Sequence, residues 1–263
     1  MESVSYKRYI IYFLLLLFSC DNTEGRDRFI VTDVVDGDTI LINHPKIERL
    51  RYLGINAPEN LTEESPGDPF SRESTYFNGT LVGGKKIRVE YDEEKYDPYG
   101  RLLGYVFVDD LLINEEIVRQ GLARVLFIGP NRKYENRILN AQKEAQDSKR
   151  GIWGNPNGFT TPDDNKQFLI KTAKASNYID QRVVVRGKIN KLRKKNSKVT
   201  VLSMEDDLNL VFFNDTLDNF KFFGIEPANF YTGKPVEVIG RVKMYRGTPQ
   251  IVVTHPISIR VLN

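Results

Sequence analysis

The chain has 263 residues, 40% hydrophobic and 28% charged, which allows one large domain or two small ones and excludes a disordered polymer. A formal net charge of +3 suits a polyanionic partner without specifying one. The lone Cys20 excludes an intrachain disulfide or a cysteine-based metal centre, and His44 and His255, each beside a proline, read as loop punctuation that leaves little for zinc or histidine chemistry.

In chain order, Lys7 and Arg8 precede a wholly apolar or aromatic run from Tyr9 to Phe18. That run falls short of the about twenty residues a spanning helix needs, and fits the h-region of an export signal. Its ending, Leu17-Phe18-Ser19-Cys20, resembles the bacterial lipobox, which implies cleavage before Cys20 and acylation of that cysteine. The expectation is therefore a signal over residues 1–20, a polar tether over 21–28, and a lipid-anchored protein facing the periplasm or the cell surface.

From Phe29 the pattern mixes strands and helices. Phe29–Val35, Thr39–Ile42 and Arg49–Ile55 read as strands, and Phe70–Val82 as a helix stopped by Gly83-Gly84. Lys86–Tyr91 and Leu102–Val108 read as strands around a loop holding Asp97-Pro98-Tyr99-Gly100-Arg101. Asn114 is placed to cap a short helix with Glu115 and Glu116 in its first turn, closed by Gly121. Tyr134–Lys149 forms a polar helix whose Ile138, Ala141 and Ala145 make a core stripe.

The turn-rich stretch NPNGFTTPDD marks a boundary, placing a linker at 155–165 between domains at 29–154 and 166–263. Beyond it, Lys166–Tyr178 reads as a helix. Arg182–Ile189, Lys198–Ser203, Leu208–Phe213, Val236–Val242 and Gln250–Val253 read as strands, with Gly187 and Gly240 suggesting bulges or bends. Five strands and a helical connection suit a small OB-type barrel. Its lysine- and arginine-rich segment (Lys188, Lys191, Arg193, Lys194, Lys195) and its aromatics from Phe212 to Phe223, with Tyr245 and Arg246, suit single-stranded nucleic acid or, equally, a solvated loop over an aromatic core.

The chemistry gathers in the first domain. Asp36 and Asp38 flank Gly37 and project to the same side at period two, so their charges favour a hard cation such as Ca²⁺ or Mg²⁺. Arg51 lies on a strand, Glu59 just past the Ala57-Pro58 turn, and Arg101 in a loop before a strand. Phosphodiester hydrolysis needs those kinds of group: a metal to polarise phosphate, a carboxylate to take a proton from water, and cations for the charge that develops.

The ordered set VVDGDT, RLRYLGINAPE, DPYGRLLGYVFV, NEEIVRQGLARV and GIW resembles the staphylococcal-nuclease, or thermonuclease, family over about residues 29–154. The resemblance implies an α+β fold in which a nuclease-type OB barrel precedes a second, smaller OB-like barrel. It implies Asp38 as a direct calcium ligand, Asp36 in the outer shell of the site and the Ala57 backbone carbonyl on the same ion. It also implies Glu59 as general base, Arg51 and Arg101 on the phosphate, and Tyr99 on the bound nucleotide. Two positions depart from the pattern. Asn56 stands where an aspartate ligand is usual, and Phe127 where a second nucleotide-contacting tyrosine is frequent, so the metal site has one negative charge fewer and the base contact keeps stacking alone.

The expectation is a calcium-dependent, low-specificity endonuclease that cuts DNA and RNA and acts as a monomer. The alternatives are a non-catalytic nucleic-acid-binding lipoprotein with a decayed metal site, or a surface scaffold or adhesin, neither of which needs all three of Glu59, Arg51 and Arg101.

Overall fold

The computed structural model describes residues 26–154 and 163–262; the expected export signal, Cys20 and most of the expected linker lie outside them. The first part of the chain forms β1 (Arg26–Val34), β2 (Thr39–His44), β3 (Lys46–Tyr52), β4 (Ile55–Asn56), α1 (Ser71–Val82), β5 (Lys86–Glu90), β6 (Leu102–Val108), β7 (Leu111–Leu112), α2 (Ile113–Arg119), β8 (Arg124–Val125) and α3 (Glu135–Asp147). Its main sheet runs β3-β2-β1-β5-β6-β7, and a parallel β3–β6 pairing closes five of those strands into a barrel. Closure leaves no open edge among the five, and Val31, Ile40, Ile42, Leu50, Ile87, Val89 and Leu102 fill the interior. Ile138, Ala141 and Ala145 are fully buried, as their helical spacing predicts.

The second part begins with a 3-10 helix, Asp163–Phe168, then β9 (Leu169–Lys171) and another 3-10 helix, Thr172–Tyr178. There follow β10 (Arg182–Lys195), β11 (Val199–Met204), β12 (Asn209–Phe213), α4 (Leu217–Lys221), α5 (Pro227–Tyr231), β13 (Pro235–Tyr245), β14 (Thr248–Val252) and β15 (Ile259–Val261). The sheet order is β15-β13-β14-β12-β11-β10-β9, closed by β13–β10, with β12 and β14 parallel. Counting each barrel's own strands from one, both run 1-2-3-5-4 and return to 1, with a helix between the third and fourth. The molecule is thus a mixed α+β protein of two OB-type barrels.

Several expectations need correcting. The strand expected over Arg49–Ile55 breaks at Leu53-Gly54, where Gly54 has φ 77°, and resumes as β4 paired to β8. The helix expected over Lys166–Tyr178 is split by β9, which pairs in parallel with β10 because Ile170 is drawn into the core. The helical connection of the second barrel is instead α4 and α5, where Phe220 and Tyr231 are core residues. Asn114 does not cap α2, since Leu112 holds that position. Fully buried, Asn114 accepts from Val106 N–H at 2.9 Å and donates to Leu53 O at 2.8 Å, tying the helix to the barrel.

Gly187 and Gly240 sit in unbroken register between β10 and β13, so neither is a bulge. Their hydrogen is needed for close approach: a Cβ on Gly240 would lie 2.2 Å from Ile251 Cγ2, and one on Gly187 2.7 Å from Thr172 Cγ2. The register shifts lie further along β10, at Ile189/Lys191 and Leu192/Lys194, where the strand curls from β13 onto β11.

The two barrels pack against each other. Trp153, from the GIW ending, is fully buried; Phe222 meets it edge-on at 5.3 Å between ring centroids and Phe223 stacks at 6.2 Å. His255 is no loop punctuation. It is buried edge-on to Trp153 at 5.0 Å, and burial, then the nearby Arg124 guanidinium, hold its pKa well below the usual value. His44 ends β2, bonded to Glu48 at 2.7 Å. Asn165, expected in the linker, is buried and clamps Gly67 through two bonds: its Oδ1 accepts from Gly67 N–H at 3.0 Å and its amide donates to Gly67 O at 2.8 Å.

Candidate active site

The turn between β1 and β2 carries Asp36-Gly37-Asp38. Space rather than a bend demands the glycine, since a Cβ there would lie 1.8 Å from Ser74 Oγ and 2.7 Å from the Ala57 methyl. The turn is pinned to α1, where Asn78, itself accepting from Tyr52 Oη at 3.0 Å, donates to Asp36 O at 2.9 Å. Asp38 is buried and heavily engaged. Its Oδ2 accepts from Ala57 N–H at 2.5 Å, its Oδ1 accepts from Thr39 Oγ1 at 3.1 Å, and Arg51 Nη1 forms an ion pair with Oδ1. Arg51 Nη2 also donates to Asn56 Oδ1 at 3.1 Å, and Asn56 Nδ2 reaches the Ala57 carbonyl at 3.5 Å. The structure therefore brings Asp36, Asp38, Arg51, Asn56 and Ala57 into one cluster.

Asp36 feels the crowding. Burial first, and then the Asp38 carboxylate, push its pKa up to about 7, while its Oδ1 accepts from Asp38 N–H at 2.9 Å. Two close carboxylates with an unmet repulsion are the electrostatic signature a cation relieves. With the Asn56 amide oxygen and the Ala57 carbonyl they make an oxygen-only set that fits a hard divalent ion. Among the described residues no group of three or more His, Cys, Asp and Glu is placed to hold a metal, so any such ion relies on those two neutral oxygens.

Glu59 lies at the lip of a pocket of about 170 Å³ bounded by both barrels, lined among others by Asn56, Asp68, Arg124, Arg182 and Thr254. It retains solvent access, yet the protein around it raises its pKa by burial; Arg182 pulls the other way and Asp38 and Asp68 push up further. Sequence reasoning missed the groups that hold it. Asp68 Oδ2 accepts from Glu59 N–H at 3.1 Å, and Asp68 N–H donates to Glu59 O at 2.8 Å, closing the loop 59–68 on itself. The other oxygen of Asp68 pairs with Arg182 Nη2 of β10 at 2.5 Å, and Arg182 Nη1 donates to Pro66 O. Arg124, whose pKa burial lowers to about 10, donates to Thr254 Oγ1 of the second barrel at 3.1 Å. Nothing local in the sequence signals these links, because Asp68 and Arg182 are 114 residues apart.

The remaining expected residues have partners of their own. Arg101 precedes β6, two register positions before Leu103, the partner of Arg51. Its Nε donates to Asp97 Oδ2 at 2.6 Å. Burial favours the neutral form of Asp97, but the hydrogen bonds and charge of Arg101 prevail and hold its pKa down. Tyr99 stands 86% exposed at the tip of the same loop, with the Arg101 guanidinium 5.7 Å from its ring centre. Phe127 is half-buried against the barrel core, with Arg132 5.3 Å over its ring.

An OB-type barrel thus carries a carboxylate pair in its β1–β2 turn, an arginine on that pair and a glutamate beside a cleft. Comparison with known proteins agrees: the family model described as staphylococcal nuclease homologue matches residues 49–155. A thermonuclease of Staphylococcus hyicus is 40% identical over 126 residues, covering 48% of this chain and 75% of the relative. A thermonuclease of Staphylococcus intermedius is 38% identical over 138 residues, 52% of this chain and 82% of the relative. Endonuclease YncB of Bacillus subtilis is 36% identical over 130 residues, 48% and 61% of the two chains. The chain belongs to the staphylococcal nuclease homologue family.

Proposed function

We propose that the protein is an exported, calcium-dependent endonuclease that hydrolyses phosphodiester bonds of DNA and RNA with little sequence preference. That it is a nuclease follows from the family and from relatives named thermonuclease and endonuclease. The metal, the breadth of substrate and the lipid anchor at Cys20 are the proposal. One observation supports it above the others: Asp38, Arg51 and Asn56 are locked together, with Glu59 three residues on beside a cleft.

Asp38 would hold the ion with Asp36 beside it, the Asn56 amide oxygen and the Ala57 carbonyl completing the set. A bound divalent ion polarises the phosphate and offsets its charge. Arg51, which pairs with Asp38 here, would turn to a phosphate oxygen if Asp38 held an ion instead. Glu59, with its raised pKa, is a stronger base than an ordinary carboxylate and takes the proton from the attacking water. Arg101 holds Asp97 through its Nε, and its terminal nitrogens would take a phosphate oxygen. Tyr99 beside it offers an exposed ring for a base.

The test is plasmid digestion by protein lacking residues 1–20, with several millimolar calcium and with a chelator. Cutting that appears with calcium, vanishes with chelator and falls ~10²–10³-fold in Arg51→Met is the expected result. Calcium-independent cutting, or none at any calcium concentration, rejects the mechanism.

A further inference from the structure

The outer face of a small barrel strand should be polar, because water lies against it. On the second barrel it is not. Along β11 and β12 the alternation sends Leu202, Leu210 and Phe212 into the core and Val199, Val201, Val211 and Phe213 outward. These outward residues floor a groove of about 520 Å³. Pairings Val199↔Phe213 and Val201↔Val211 set the floor in two cross-strand rows. The walls are cationic: Arg193 and Lys194 come from β10 and Arg246 from the β13–β14 hairpin, and among the described residues no carboxylate lines the groove. Arg193 donates to Asn209 Oδ1 at 3.3 Å.

Two aromatic residues line this groove and stay exposed, Phe213 42% and Tyr245 56%. Tyr245 and Thr248 pair across a two-residue turn, Arg246-Gly247, whose φ values are 49° and 78°. Such turns ordinarily take asparagine or aspartate before glycine. Here the position holds an arginine whose guanidinium lies 5.4 Å from the Tyr245 ring centre. Apolar floor, exposed rings and unopposed cations together match a ligand with flat π faces on a polyanionic backbone. A duplex hides its base faces in the stack, so an unpaired strand fits best.

The groove also points somewhere. Thr248 and Gln250 of β14 line it, and at period two the next residues on that face are Val252 and Thr254, which line the pocket beside Glu59. Four residues of extended chain, ~13 Å, separate Gln250 from Thr254. We propose that this groove binds single-stranded nucleic acid by stacking on Tyr245 and Phe213 and by phosphate contacts to Arg193, Lys194 and Arg246, and leads the strand into the cleft at Glu59. The binding stands on the groove alone; the delivery rests on the nuclease reading.

The experiment measures anisotropy of a labelled oligothymidylate of about 12 nucleotides with the full chain in chelator, so that no cleavage is needed. Tyr245→Ala and the double variant Arg193→Glu/Lys194→Glu are each expected to weaken binding about tenfold or more, and Tyr245→Phe to keep it. The charge variant also lowers the salt dependence, as lost phosphate contacts require. Tyr245, Arg193 and Lys194 are exposed, and matched thermal melting shows that each variant folds. With calcium, Tyr245→Ala is expected to raise KM for a long single strand while leaving kcat and the cutting of a dinucleotide unchanged. Unchanged oligonucleotide affinity in both variants overturns the proposal, as does tighter binding of a matched duplex or of polyglutamate. A chain that binds through the groove but never cuts would refute the nuclease reading and leave the groove standing; one that cuts but ignores these substitutions would do the reverse.

Discussion

The two barrels share strand order, a parallel pairing of third and fifth strands, and a helix between the third and fourth, yet they carry different chemistry. The first collects its polar groups at strand ends and in the turn between β1 and β2, where Asp36, Asp38, Arg51, Asn56 and Ala57 lock together. The second puts its signal on a sheet face, as outward valines framed by arginine and lysine. The fold fixes where strands run; turn residues and the outward half of each alternation decide what the barrel does. The difference extends to their contact, where the second barrel supplies Arg182 to steady the loop that holds Glu59.

If the first barrel's cluster is a cation site lacking one carboxylate, restoring that charge should show it most. Asn56→Asp is expected to lower the calcium concentration for half-maximal cutting by roughly 10- to 100-fold, with maximal rate much less affected. A calcium titration of both proteins checks this. An unchanged midpoint would mean that residue 56 does not face the ion.

Much of this difference is legible in the sequence, and the misses share a physical cause. The strand Leu102–Val108 lies where the sequence places it, as does the stripe Ile138, Ala141, Ala145, and the strand expected over Thr39–Ile42 runs on to His44. Local motifs also announce Asp36, Asp38, Arg51 and Glu59. Lys166–Tyr178 reads as one helix only until its parallel edge partner, β10, recruits Leu169–Lys171, a tertiary effect without local signature. Asn114 looks like a cap by residue type, but the barrel's unpaired Val106 N–H and Leu53 O claim it. Asp68 and Arg182 are invisible for the same reason, being joined only after both barrels form.

The joint between barrels offers a smaller effect. Arg182 counters part of the rise that burial imposes on the Glu59 pKa. Removing its charge leaves Asp68 unneutralised as well, so both changes favour the protonated form of Glu59, which could not serve as the proposed base. Arg182→Met is therefore expected to move the acid limb of the rate–pH profile to higher pH: several-fold slower cutting on that limb, with little change on the alkaline plateau. Losing one partner of a buried pair also destabilises by ~3–5 kcal/mol, so Arg182→Lys, which keeps the charge, is the companion and should hold the limb in place. A uniform loss at every pH in Arg182→Met would assign this arginine to packing alone.

The smallest effect is thermodynamic and tests whether the carboxylate pair is strained without a cation. Asp36 has a folded pKa of about 7 against an ordinary 3.8, so the folded state binds a proton more tightly than the unfolded chain. For a raised pKa the stabilising contribution is complete below 3.8 and is lost as pH rises through about 7. At pH 8 in chelator the ionised Asp36 opposes folding, by about 1 kcal/mol once solvent screening is allowed for. Asp36→Asn keeps an oxygen for Asp38 N–H and removes the charge. It should raise Tm by about 2–4 °C at pH 8 in chelator and by nothing near pH 3, where the native carboxyl is already neutral. Calcium should erase the difference at pH 8 by stabilising the native pair and leaving the variant nearly unmoved. An equal gain at both pH values would place its origin in packing, and the repulsion between Asp36 and Asp38 would then have no part in the stability of the metal-free protein.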